Sequence, residues 1–427
     1  MEKAEIFLKD KRLRACDFNI DQLVDLFLSE MNRGLMGETS SLRMIPTYIE
    51  AENEFLKDTP VIAIDAGGTN FRSALISFSS SGLLEMENVS NYLMPGLDRE
   101  VSKKEFFRTM ADFIEPVAEK SDRIGFCFSY PTEIFPDKDG RLLQFCKEVQ
   151  APEVIGQVIG KSLLEALGTP GKKIVLLNDT VATLLAGKSA SFGKTYDSFI
   201  GFILGTGTNT CYIESNVNIV KNPELDPGRS MIINIESGNF NKAPRTELDI
   251  AFDNTTMNPG NYSFEKMFSG GYFGGLCLFV LKAAANDGLF SPRTAGRLKV
   301  LRDLTAEEAN GFLVGYNTQT NSLSGCFSDA GDAGTGKFII DNIIDRTARL
   351  VSANLAAVVL KTGKGTDPER PVLITIDGTT FYKLHNLKLR FEDYFADFLS
   401  GDRKRYVEFT EVKQSSLIGA ALAGLID

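Results

Sequence analysis

Val61-Ile62-Ala63-Ile64 runs straight into Asp65-Ala66-Gly67-Gly68-Thr69-Asn70-Phe71-Arg72. The first four residues are apolar and three are β-branched, the composition of a buried strand. Gly67 and Gly68 permit a tight turn in which the backbone approaches a ligand closely. Consecutive N–H groups there, together with Thr69 and Arg72, can hold phosphate oxygens. Asp65 at the strand end can orient a hydrated Mg²⁺. Ser73-Ala-Leu-Ile-Ser-Phe78 resumes apolar character at once, so the chain returns as a second strand. Walker and Rossmann loops open helices instead. Taken alone, the stretch also fits an ordinary Gly-Gly hairpin.

Working outward, the 427 residues suggest two or three domains with large cores. The net charge of −10 argues against a non-specific nucleic-acid binder. No apolar run at the start resembles a signal peptide, and the longest greasy stretch, Tyr272–Ala285, contains Lys282 and is too short to span a bilayer. Six cysteines without Cys-x-x-Cys spacing fit reduced thiols of a cytoplasmic protein. The single histidine, His385, lies near no nucleophile motif, so a general base is expected to be a carboxylate.

Along the chain, residues 1–56 read as helical, with Ile20, Leu23, Val24, Phe27 and Met31 on one face. Lys103–Lys120 repeats that spacing. Ile124-Gly-Phe-Cys-Phe-Ser129-Tyr-Pro131 is a buried strand that delivers a hydroxyl before a stiffening proline. Lys173-Ile-Val-Leu-Leu-Asn178-Asp179-Thr180 is a strand that delivers Asn, Asp and Thr to the start of a helix. Asp179 there can take a proton from a substrate hydroxyl or simply cap the helix. Phe199–Leu204 followed by Gly205-Thr206-Gly207-Thr208-Asn209 repeats the opening pattern of strand, Gly/Thr turn and strand. Two such turns across a cleft can grip a phosphate chain from both sides. Glu236 and Glu265 are candidate acceptors for sugar hydroxyls, and Asp377-Gly378-Thr379 ends a further strand. Gly331–Lys337 fits G-x-x-x-x-G-K but ends in Phe338, so it reads as a loop before a helix over Phe338–Leu360.

In this order the motifs resemble the eukaryotic-type hexokinase/glucokinase family of the actin-like ATPase superfamily, from about residue 60 to the C-terminus. The resemblance implies a two-lobed α/β fold, actin-like and ribonuclease H-like, with a central cleft. Residues 58–177 would form the small lobe and 178–413 the large lobe. Residues 1–57 would pack on the large lobe, and 414–427 would return to the small one. It also implies roles. Asp179 would be the catalytic base. Ser129, Lys147, Asn178, Asn209, Glu236 and Glu265 would bind a hexose, glucose first. Asp65, Gly67, Gly68, Thr69, Asn70, Arg72, Gly205, Thr206, Gly207, Gly378, Thr379, Ser415 and Gly419 would serve ATP. Mg²⁺ would be held mainly by nucleotide phosphates, through water to Asp65 or Asp179. Nucleic acid and membrane are not expected as partners, and the enzyme would be a monomer or homodimer. Departures from the family pattern are Cys146 beside Lys147, Tyr262 in place of a sugar-contacting Gln, and Ser415-Ser-Leu-Ile-Gly419 in place of a glycine-rich turn. The alternative is a non-catalytic or weakly catalytic sugar sensor on the same scaffold.

Overall fold

The computed structural model describes residues 2–50, 54–145, 149–191, 194–315, 320–327 and 329–426. Its strands, numbered along the chain, are β1 (Ile45–Pro46), β2 (Val61–Gly67), β3 (Asn70–Phe78), β4 (Leu84–Leu93), β5 (Arg123–Phe128), β6 (Thr132–Ile134), β7 (Gly140–Leu142), β8 (Lys173–Leu177), β9 (Ser198–Leu204), β10 (Thr208–Ser215), β11 (Ser230–Asn234), β12 (Val372–Asp377) and β13 (Val407–Thr410).

Two mixed sheets carry the fold, in the orders β4-β3-β2-β5-β8 and β1-β11-β10-β9-β12-β13. Each joins an antiparallel meander to two parallel strands. In the first, β2–β3–β4 is followed by β5 and β8. In the second, β9–β10–β11 is followed by β12 and β13. The chain therefore uses one topology twice, with β1 added at the edge of the second copy. The repeated strand–turn–strand pattern in the sequence is the visible trace of this duplication. Strands β2, β5, β8, β9 and β12 are buried on both faces, which explains their near-continuous apolar runs.

A pair of helices links the sheets. Asp179–Ala190 packs on β9 and β12, Ser415–Leu425 packs on β2 and β5, and the two helices pack on each other. Neither has a continuous polar face, because each is covered on nearly every side. Small residues bring their backbones together. A Cβ on Gly419 would lie 2.0 Å from the Ala182 carbonyl oxygen. A Cβ on Gly125 of β5 would lie 1.7 Å from that of Ala420.

Lys103–Ala118 covers the outer face of the first sheet through Phe106, Phe107, Met110 and Ile114. Ile20–Met36 packs on the long helix Ala330–Thr362 in the core of the second. It begins at Asn19, whose side chain accepts the Gln22 N–H, and stops at Gly37 with φ 78°. Further along, Leu56 N–H donates to Leu425 O, at the end of the helix Ser415–Leu425, at 3.1 Å.

Two expectations fail. Beyond Met36 the N-terminal segment is not helical: Gly37 ends the helix and β1 (Ile45–Pro46) adds an edge strand to the second sheet. Gly331–Lys337 is not a loop but the first turns of the helix Ala330–Thr362. Asp329 caps it by accepting the Asp332 N–H at 2.8 Å, and tertiary packing outweighs the poor helix propensity of the glycines. Gly336 is fitted to the Phe327 ring, which a Cβ would approach to 2.5 Å. His385 lies half-buried outside the central cleft, its backbone N–H held by Asn310 at 2.8 Å, in keeping with a structural role.

The helix crossing makes a test. Gly419→Ala forces a methyl group onto the Ala182 backbone and should cost about 2 kcal/mol or more. Thermal denaturation should show the loss, while the KM for nucleotide in the surviving folded enzyme should stay near wild type.

Candidate active site

The two sheets face each other across a cleft of about 960 Å³. From the β2–β3 side it is lined by Asp65, Gly67, Gly68 and Arg72, and from the β9–β10 side by Thr206, Gly207 and Asn209. Ser129, Asn178, Asp179, Glu236, Glu265 and Gly378 complete the group of predicted residues that the fold brings together. Lys147 lies outside the described residues.

Each turn is braced from behind. The first has Gly68 at φ 60°, with its carbonyl accepting the buried Tyr130 hydroxyl at 3.0 Å. Thr69 and Asn70 stand exposed at its tip, and Thr69 O accepts the Met94 N–H at 3.0 Å. The second turn is tied to the start of the helix Gly270–Asn286. Gly270 N–H donates to Gly205 O at 2.8 Å and Gly271 N–H to Thr206 O at 2.9 Å. Thr380 Oγ1 also donates to Gly205 O, at 2.8 Å. Those helix N–H groups hold the turn's carbonyls, so the turn's own Thr206 and Gly207 face the cleft.

Gly378, at φ 116°, packs a Cβ-free face against the Leu204–Gly205 backbone, which it supports from below. Thr379 opens the short helix Thr379–Lys383 and does not line the cleft. Of the other expected nucleotide residues, Thr69, Asn70 and Gly205 are also outside the lining, and so are Ser415 and Gly419. Ser415 is buried, its hydroxyl donating to Asp377, and only its neighbour Ser416 reaches the cleft. Gly419 is consumed by the helix crossing at Ala182, because no ligand atom fits between backbones that close.

The floor is a polar network. Asn209 Nδ2 donates to Asn234 Oδ1 at 2.8 Å and lies 3.3 Å from both Asn178 Oδ1 and Glu236 Oε1. Asn234 Nδ2 donates to Glu236 Oε1 at 2.9 Å. Glu265 Oε2 accepts the Thr208 N–H at 2.9 Å, coupling that acid to the second turn. Asn234 belongs to this network although it was not singled out from the sequence. The signal was present, since it ends β11 two residues before Glu236. Tyr262 also lines the cleft, and its hydroxyl accepts from Gln144 across the gap at 3.1 Å.

Asn178, not Asp179, is the helix cap: its side chain accepts the Thr180 N–H at 2.9 Å. Asp179 is the first helical residue, with Oδ1 accepting that same N–H at 2.8 Å. Burial and the nearby carboxylates of Asp65 and Glu236 push its pKa up to about 6, against the Thr180 and Ser129 hydrogen bonds. Asp65 is also raised by burial, although Arg72 pairs with it and donates from Nε at 2.9 Å. Glu236 is raised by burial, opposed by Asn234, Arg43 and Asn209. The cleft thus holds acids that are costly to ionise beside one another.

A pair of duplicated sheets with facing Gly/Thr turns and a carboxylate-rich floor between them is the architecture of a sugar kinase of the actin-like ATPase type. Hexokinase family models match residues 9–189 and 199–426, so the chain belongs to the hexokinase family. It is 27% identical to Hexokinase-2 of Solanum tuberosum over 98% of this chain and 90% of that protein. It is 31% identical to Hexokinase-3 of Homo sapiens over 88% of this chain and 43% of the human protein. The fold matches the hexokinase from Schistosoma mansoni complexed with glucose, with a TM-score of 0.81, 24% identity and 99% of both chains covered. The chain is accordingly an ATP-dependent hexose phosphotransferase.

The raised Asp179 pKa makes a stability test. Its folded value of about 6 lies above the unfolded 3.8. The wild type therefore loses stability as pH rises from about 4 to 6 and stays lower above that, by on the order of 2–3 kcal/mol. Asp179→Asn should melt higher than wild type at pH 7.5, with the gain shrinking towards pH 4. Equal melting temperatures at both pH values would refute the buried-carboxylate assignment.

Proposed function

We propose that this protein transfers the γ-phosphoryl group of ATP to the 6-hydroxyl of glucose or a close hexose, the entry step of glycolysis, in the cytoplasm. The observation that carries the reading is the position of Asp179. It stands at a helix start between the two phosphate-type turns, beside the Asn209–Asn234–Glu236 network, with a pKa of about 6. A base of that strength is largely ionised at neutral pH yet basic enough to accept a hydroxyl proton.

In this reading Ser129, Lys147, Asn178, Asn209, Glu236 and Glu265 hold the sugar by its other hydroxyls. Asp179 takes the 6-hydroxyl proton as that oxygen attacks the γ-phosphorus. The N–H groups around Gly67 and Gly68, with Thr69, Arg72 and Thr206, meet the phosphate charge. A Mg²⁺ carried in on the nucleotide phosphates would be reached by Asp65 or Asp179 through water. Such an ion would neutralise phosphate charge during transfer.

We infer the lobes to be residues 58–177 with 414–427, and 178–413 with the N-terminal 1–57 packed on them. Sugar binding would bring the lobes together and exclude water as a competing acceptor. Among the described residues no helix is long and apolar enough to cross a membrane.

ADP release from MgATP, measured with and without glucose, mannose, fructose and N-acetylglucosamine, tests the reading. Strong stimulation by a hexose is expected. Sugar binding without turnover would identify a sensor instead. Asp179→Asn should lower kcat by on the order of 10²–10⁴-fold while hexose affinity stays within a few-fold. The kcat/KM of the wild type should fall tenfold per pH unit below about pH 6, where Asp179 becomes protonated.

A further inference from the structure

Behind the polar floor lies a second polar layer that does not reach the cleft. Asn354 stands on the long helix Ala330–Thr362, buried among the apolar positions Leu350, Val351 and Leu355. A carboxamide is costly to bury there, and its Oδ1 meets no hydrogen-bond donor among the described residues. Its Nδ2 donates to Thr210 Oγ1 at 2.9 Å. The Thr210 hydroxyl in turn lies 3.0 Å from the Ser237 hydroxyl. Thr210 and Ser237 are fully buried as well, and none of the three residues lines the cleft.

Thr210 and Ser237 touch the floor through their backbones. Thr210 N–H donates to Asn209 Oδ1 at 2.7 Å, and Ser237 N–H donates to the same oxygen at 3.2 Å. Two donors on one oxygen leave the Asn209 amide a single orientation, with Nδ2 turned to the acceptors of Asn178, Asn234 and Glu236. Reversed, the amide would set its oxygen against three others. Thr210 O also accepts the Ile235 N–H at 3.0 Å. Glu236, between Ile235 and Ser237, holds φ 60°, a left-handed conformation uncommon for a residue with a side chain. Thr210 therefore grips the residue before Glu236 through its carbonyl and the residue after it through its hydroxyl.

We propose that Thr210, Ser237 and Asn354 form a buried positioning triad for the sugar end of the cleft. They hold Asn209 in one amide orientation and Glu236 in its left-handed backbone, so that both present fixed hydrogen-bonding groups to a hydroxyl. The proposal takes its ligand from the hexose-kinase reading, while the hold on Asn209 stands independently of it. An apolar side chain of similar volume would fill the Asn354 position without stranding an acceptor, so the amide contributes orientation rather than stability.

Calorimetric titration with glucose and thermal denaturation, both on the full chain, separate orientation from stability. Asn354→Leu should weaken glucose binding about fivefold while the melting temperature holds or rises and the KM for ATP stays within about twofold. Ser237→Ala, a smaller change, should reproduce the affinity loss if Asn354→Leu does not fold. Thr210→Val keeps the branched Cβ of a strand residue but strands the Asn354 amide, so it should bind glucose about as weakly and also melt lower. Combined with Asn354→Leu, it should regain the melting temperature but not the affinity, adding less than about twofold to the larger single loss. Affinity that returns together with the melting temperature would reduce the triad to a structural role and overturn the proposal, as would wild-type affinity in the single variants. NMR of the Asn209 side-chain amide needs no ligand: its signals should shift and exchange faster with solvent in the double variant. If the wild type binds no hexose, the hexose-kinase reading fails while these signals still decide the triad. Signals unchanged from wild type sink it whatever the activity.

Discussion

Everything in the molecule turns on the close approach of two helices between the sheets. Asp179–Ala190 and Ser415–Leu425 meet backbone to backbone at Ala182 and Gly419, and the second is pressed equally hard on β5 at Gly125. Any larger side chain at these contacts would separate the sheets, and interiors tolerate such overpacking poorly. The same helix pair places Asp179, the first residue of one helix, where the sheets face each other.

Against that apolar pivot the cleft is electrostatically expensive. Asp65, Asp179 and Glu236 are all raised by burial, and Asp65 and Glu236 each push Asp179 further. A fold optimised for stability would neutralise or remove some of these groups. Their persistence fits a site where ionisation is the useful property, so stability is surrendered locally and recovered in the cores. Of the two cations in its described lining, Arg43 and Arg72, the second pairs with Asp65.

The duplicated topology supplies one Gly/Thr turn from each sheet, yet the copies are supported differently. Tyr130 and Met94 hold the first turn through its carbonyls. The second is held by the start of Gly270–Asn286 and by Thr380, with Gly378 packed beneath it. The first tip is therefore exposed and lightly tied, whereas the second is part of a rigid helix-backed platform.

Local features of this protein were written plainly in its sequence. Apolar runs of period-independent hydrophobicity marked β2, β5, β8, β9 and β12 as buried strands, and the Gly/Thr turns between β2 and β3 and between β9 and β10 were legible from composition. The order of motifs named the family and most of the cleft residues. What the sequence could not decide was set by contacts between distant segments. The glycines of 331–336 look like a loop, but they are helical because Asp329 caps them and Phe327 packs on them. Gly419 looks like part of a ligand turn and is instead spent on a helix crossing. Asn178 takes the cap position that Asp179 was also fit to take, and Asp179 shares the Thr180 N–H from the first helical position. Propensity and pattern act over a few residues, so they specify elements; pKa, pairing and proximity depend on neighbours remote in the chain, and only the packed structure supplies them.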